Sequence, residues 1–421
     1  VDTDTPGRRP RRVWLKLVLV CVLALLAVVA LRSALVTSAV IIHNDERHYA
    51  LDGFWVKSGL PPAAIWNVLL RGHMHPHPLY NPLTGKLKPH GEFTRGFSRG
   101  DDDLATFPRA GHPALFMTLL GPLFAFFSKS WLLRADHYVL LARMVNTLLD
   151  CLTWLMLYQL LRDLFGRRIS LWVVLPAALL PYVLVIGSLG YLDGPGTFMI
   201  VLGAWFWFRF MHRQASPWRG VVLGLLLGAG ILMKQSNVFA IPLLAAAVWC
   251  RPPRRRAREL VLPLALAAAV VAATVLVGCK PLDLVTKTMD TVERTSRYGA
   301  NRHVASDGTR RITYLFDAAG HYHFGSTPGK PKSFVQSRAL ILAHSITFPL
   351  LLAVFLLSVI VLLLLRRWRC LALPLVIIGI ATVIPVGTCV RRLYLLLPFA
   401  LFTIALAVWE LQRRKRSFTS G

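Results

Sequence analysis

The chain has 421 residues, 55% of them hydrophobic and 16% charged, with a formal net charge of +28. The apolar residues gather into long blocks parted by short basic connectors, which excludes a water-soluble fold of this length. Such a charge would suit a nucleic-acid binder, but the arginines cluster at the ends of apolar blocks, so the charge reads as membrane topology and no nucleic-acid partner is expected.

A bilayer core requires about twenty mostly apolar residues per helix. The run 13–36 meets that length, with Lys16 and Arg32 near its ends, and is too long for a cleaved signal peptide. Further spans are expected at 139–164, 170–187, 195–211, 221–233, 238–249, 260–279, 339–365, 370–386 and 393–411. The run 114–127 is short and holds Gly121 and Pro122. It is expected as a partial or re-entrant element, or as half of a hairpin. The fold class is therefore all-α: a polytopic membrane protein with about ten to eleven transmembrane helices and two sizeable extracytoplasmic loops. Residues 1–338 are expected to form the catalytic module, with 339–421 supplying the C-terminal helices. Only the two charged tails are expected to be disordered.

Basic clusters at Arg8 to Arg12, Arg167 and Arg168, Arg209 to Arg219, Arg251 to Arg258, Arg366 to Arg369 and Arg413 to Arg416 all obey the positive-inside bias if they face the cytoplasm. Both termini are then cytoplasmic in a plasma or inner membrane. Loops 42–112 and 280–337, with turns near 187–195, 234–237 and 385–392, face outward. The six cysteines lie in or beside apolar runs and imply no disulfide or zinc framework.

Chemistry is sought among polar residues on the outer side. Asp45 and Glu46 follow the first span directly. Neighbouring carboxylates at an interface raise one another's proton affinity, which suits a general base; the plainer reading is a solvated loop start paired with Arg47. Lys234 stands between two apolar runs and either reaches an anion or snorkels to the interface. Arg391 and Arg392 break the positive-inside pattern at the outer end of the last span, which suits a guanidinium holding a phosphate. Asp193, followed by Gly194 and Pro195, reads as a helix N-cap that also faces the substrate. Tyr322 lies among the aromatic residues of the second loop, a composition suited to covering a sugar or to a packed cap. His73, His75 and His77 alternate along a proline-rich stretch. That spacing leaves a divalent metal open without indicating one. No cofactor is expected.

The acidic pair after span one, with Arg47 and Tyr49 behind it, and His112-Pro113 at the next apolar element resemble the protein O-mannosyltransferases and the lipid A aminoarabinose transferases. These belong to the C-type glycosyltransferase superfamily. The family form has two prolines after the basic residue; here Ala114 follows Pro113. Ala142-Arg143, the 164–168 segment, Tyr191 to Pro195, Met233-Lys234 and Arg392 to Pro398 are similar to the family pattern in the same order.

The resemblance implies a polyprenyl-phosphate sugar donor, a lipid-linked glycan, lipid or protein acceptor, and inversion at the anomeric carbon. It implies Asp45 as base with Glu46 beside it, Lys234, Arg392, Arg391 and Arg143 toward the donor phosphate, and Asp193, His112 and Tyr322 toward substrate. The competing class is a transporter or lipid flippase. That class calls for carboxylates inside the spans, and the acids are expected outside them.

Overall fold

The computed structural model describes residues 80–81, 86–87, 115–128, 135–188, 192–211, 213–214, 216–251, 257–278, 348–383 and 394–419. The architecture there is α-helical, apart from a two-residue antiparallel ladder of β1 (Tyr80–Asn81) with β2 (Lys86–Leu87), Tyr80 opposite Leu87. Asp45, Glu46, His112, Tyr322, Arg391, Arg392 and the three alternating histidines lie outside the described residues.

Among the described residues three stretches are long and apolar enough to cross a bilayer: Leu140–Phe165, Glu259–Leu276 and Tyr394–Ser417. The first belongs to α2 (Ala135–Phe165), whose 31 residues rise roughly 46 Å. It exceeds a core of about 30 Å and must project or tilt. Before it, α1 (Leu115–Ser128) has Pro122 inside and 14 residues, a rise of about 21 Å. That length agrees with a partial element.

One expected single span is interrupted, two others include a non-α turn, and the turn expected at 234–237 is present. Residues 170–187 form α3 (Arg167–Ala178) and α4 (Pro181–Ser188), parted at Leu179 and Leu180 just after Pro176. Next, α5 (Asp193–Phe206) runs into a π-helical turn, Trp207–Met211. A 3₁₀ turn, Gln235–Phe239, joins α6 (Pro217–Met233) to α7 (Ala240–Cys250). After α8 (Ala257–Gly278) and α9 (Phe348–Leu364), the 3₁₀ turn Trp368–Leu371 leads into α10 (Ala372–Val383), and α11 (Leu397–Thr419) closes the chain. The C-terminal basic residues, expected to be disordered, continue α11 as helix. Cations at a helix C-terminus complement its dipole.

Close packing follows small residues. Gly220, Gly224 and Gly228 recur every fourth position, on the face of α6 that meets α8. A Cβ at Gly224 would stand 2.7 Å from the Ala267 carbonyl oxygen, and one at Gly228 2.8 Å from Thr274. Lipid does not drive helices together hydrophobically, so this backbone proximity supplies van der Waals contact. The outward faces of α8 and α9 remain apolar and exposed, through Val261, Leu262 and Leu276 and through Leu350, Leu357 and Leu364.

The basic ends of the helices are sewn together. Gly166 turns the chain from α2 into α3 with φ of 91°, a conformation that favours glycine. Arg209 reaches Asp163 at 3.0 Å, and the Arg219 guanidinium donates to the Phe210 and Gln214 carbonyls at 3.2 and 2.5 Å. Arg251 donates to the Leu164 carbonyl at 2.9 Å and lies over the Phe165 and Trp409 rings at 5.0 and 4.0 Å. Burial draws its guanidinium below the ordinary range, and Glu410 opposes that shift. Arg367 pairs with Glu410 at 2.9 Å. Exposed tryptophans (Trp172, Trp218, Trp249 and Trp368) stand at this same end, where aromatic residues mark a membrane interface.

Candidate active site

The polar groups of the site lie toward the opposite ends of the same helices. At Lys234 the backbone leaves the helical region with φ −155° and ψ 123°, so the chain breaks between α6 and its following 3₁₀ turn. Its peptide N–H still donates to Gly230 at 3.1 Å. The Asn237 amide donates to the same carbonyl at 2.8 Å, satisfying an acceptor that the helix end would leave bare. The break projects the Lys234 side chain to Asp193, the first residue of α5, whose carboxylate accepts from Nζ.

Asp193 was expected to cap its helix. Instead Leu192 occupies the N-cap position without a side-chain cap bond, and the carboxylate turns to Lys234. An ion pair outcompetes a neutral cap where little water is present, because Asp193 is only 5% exposed. The α5 N-terminus favours the anion and the α6 C-terminus favours the cation, so both helix dipoles support the pair.

Facing this pair is one stripe of α2. Arg143, Asn146, Asp150 and Thr153 recur at helical spacing and are all buried. Glycines admit the stripe: a Cβ on Gly194 would overlap the Asn146 amide, and one on Gly187 the Asp150 carboxylate. A Cβ on Gly196 would likewise meet Asn237. The Tyr394 hydroxyl donates to Asp150 Oδ1. The structure thus brings Arg143, Asp193 and Lys234 to one end of the bundle, each on a different helix.

Asp150 corrects the expectation that the spans hold no carboxylate. It is fully buried within the membrane-length stretch Leu140–Phe165. The signal was local: Arg143, Asn146 and Asp150 share one helical face in an otherwise apolar run, and intramembrane polar residues mark function. Among the described residues no group of three His, Cys, Asp or Glu side chains could hold a metal ion.

The family model described as dolichyl-phosphate-mannose-protein mannosyltransferase matches residues 121–277. The match runs from α1 to the end of α8 and includes Arg143, Asp150, Asp193 and Lys234. This stretch is similar to the membrane domain of the C-type glycosyltransferases that the model describes. The apolar helices make the chain an integral membrane protein, and the family that the stretch resembles transfers glycosyl groups. Neither a curated protein nor a solved structure matches the chain.

Proposed function

We propose that this protein transfers a sugar from a polyprenyl-phosphate donor to an extracytoplasmic acceptor with inversion. The observation that carries the reading is the Asp193–Lys234 pair within the matched domain, at the end of the bundle opposite the basic end. By the positive-inside bias that end faces outward. Its ammonium and the buried Arg143 guanidinium supply cations for a lipid-linked phosphate; Arg392 and Arg391 add to them.

In this reaction the acceptor oxygen attacks the anomeric carbon and passes its proton to the Asp45 carboxylate. The bond from that carbon to the donor phosphate breaks, and its electron pair leaves with the phosphate. The leaving group departs as an anion, so cations serve it better than a strong acid. Glu46 raises the proton affinity of Asp45, which suits it to accept that proton, while Asp193, His112 and Tyr322 address the sugar and acceptor. Residues 1–338 form the catalytic module, and 339–421 supply the C-terminal helices together with Arg391 and Arg392.

Asp150 favours a second reading, a transporter or flippase, because a buried intramembrane carboxylate suits a substrate path. One experiment separates the two. The purified protein is incubated with a panel of polyprenyl-phosphate sugars, and transfer or release of sugar is followed. Asp45→Asn should lower turnover about a hundredfold or more while donor binding persists, with Glu46→Gln less affected. Lipid movement between leaflets without sugar release from any donor would favour the transporter.

A further inference from the structure

Helix α9 ends in a turn that its sequence does not favour. The Arg366 and Arg367 peptide N–H groups donate back to the Leu363 and Leu362 carbonyls at 2.8 and 3.0 Å, which closes the helix through a left-handed residue. Glycine normally fills that position, because a Cβ is strained there. Here it is Arg366, with φ of 54°, and no other described non-glycine residue has a positive φ. A strained residue persists where its side chain has a use.

The side chains around it share one character. Arg366, Arg367, Trp368 and Arg369 are all exposed, as are Leu363 and Leu364 on the last turn of α9. The end of α7 adds a second exposed tryptophan: the Cys250 thiol donates to the Arg369 carbonyl at 3.4 Å, and the Arg369 guanidinium lies 5.2 Å from the centre of the Trp249 ring. Arg367 is matched by Glu410. Among the described residues no carboxylate pairs with Arg366 or Arg369.

The positive-inside bias asks only for charge at this end. It does not ask for an arginine in a left-handed turn, nor for two tryptophans beside it. A guanidinium fork matches phosphate oxygens, tryptophan sits at headgroup depth, and exposed leucines meet acyl chains. Arginines at the cytoplasmic surface attract the anionic lipids of that leaflet. We propose that Arg366 and Arg369, flanked by Trp368 and Trp249, hold the phosphate headgroup of an anionic glycerophospholipid. The site is at the end of the bundle opposite Asp193 and Lys234 and does not depend on the proposed transfer reaction.

The test uses the full chain purified in detergent. Its melting temperature is followed as phosphatidylglycerol, or phosphatidylcholine with the same acyl chains, is added, and bound lipid is counted by native mass spectrometry. Phosphatidylglycerol should bind and raise the melting temperature, and phosphatidylcholine should bind about tenfold more weakly or worse. Arg366→Gly removes one charge and relieves the turn. Without added lipid it should melt no lower than the parent, yet its affinity for phosphatidylglycerol should fall about fivefold. Arg366→Gly combined with Arg369→Gln should lose about tenfold or more. As a control, Arg167→Gln with Arg168→Gln removes two exposed arginines elsewhere at the same end and should keep affinity within about twofold. An equal loss in that control shows diffuse surface charge and overturns the site. Parental affinity in the variant lacking both Arg366 and Arg369, or equal binding of the two lipids, overturns it as well. Inorganic phosphate at the same concentration should leave the melting temperature unchanged; stabilisation equal to that by phosphatidylglycerol would assign the site to a soluble anion and overturn the lipid.

Discussion

The Lys234 ammonium donates to the Asp193 carboxylate across 41 residues of sequence, joining the last turn of α6 to the first residue of α5. Asp193 is buried, and Lys234 is its ion-pair partner. Removing Lys234 alone, as Met, should destabilise the protein by about 3 kcal/mol, because an uncompensated carboxylate remains. Adding Asp193→Asn to that variant should restore part of the loss, and the coupling in a double-mutant cycle should be about 1–3 kcal/mol. Thermal unfolding in detergent checks this, and additive losses would show that the pair is not coupled. Donor KM in Lys234→Ala should also rise, which follows from the proposed phosphate role and not from stability.

The arginines of the basic end do more than orient the chain. Arg251 lies over Trp409 and Phe165 and donates to the Leu164 carbonyl. Lysine keeps the charge but not the planar fork or the stacking. Arg251→Lys should therefore insert in the same orientation yet lower stability by about 1–2 kcal/mol. Stability equal to the parent would mean that charge alone matters at this position.

Two glycines should respond oppositely to alanine. A Cβ at Gly220 would overlap the Pro263 carbonyl, a backbone atom that cannot swing aside, whereas nothing lies within 4 Å of a Cβ at Gly379. Gly220→Ala should cost about 1–3 kcal/mol by forcing α6 from α8. Gly379→Ala should be neutral or stabilising by up to about 1 kcal/mol, because alanine restricts the unfolded chain. Parallel melting curves in one detergent decide this.

Topology is checked in intact cells with an impermeant thiol reagent. Single cysteines placed at Ser58 and Tyr322 in a cysteine-free background should label, and one at Arg255 should not. Labelling at Arg255 would reverse the assigned orientation and with it the side on which the chemistry is proposed.

The sequence by itself determined that this is an all-α membrane protein and where most of its helices fall. Hydropathy is a local property summed over about twenty residues, and basic clusters mark helix ends without reference to neighbours. It also singled out Lys234, because a charge between apolar runs stands out, Asp193, because it precedes Gly194 and Pro195, and Arg143, through the family pattern. It placed the break at Lys234, where a charge parts two apolar runs, but not the one at Leu179: an interrupted helix remains as apolar as a continuous one. The partners were equally hidden. Pairing of Asp193 with Lys234, of Asp150 with Tyr394 and of Arg251 with Trp409 depends on how each helix is rotated about its axis. Helices such as α9 are apolar all round and carry no amphipathic face to set that rotation. Only the tertiary structure decided it, through contacts such as the Gly220, Gly224 and Gly228 face on α8, where close backbone approach admits one setting.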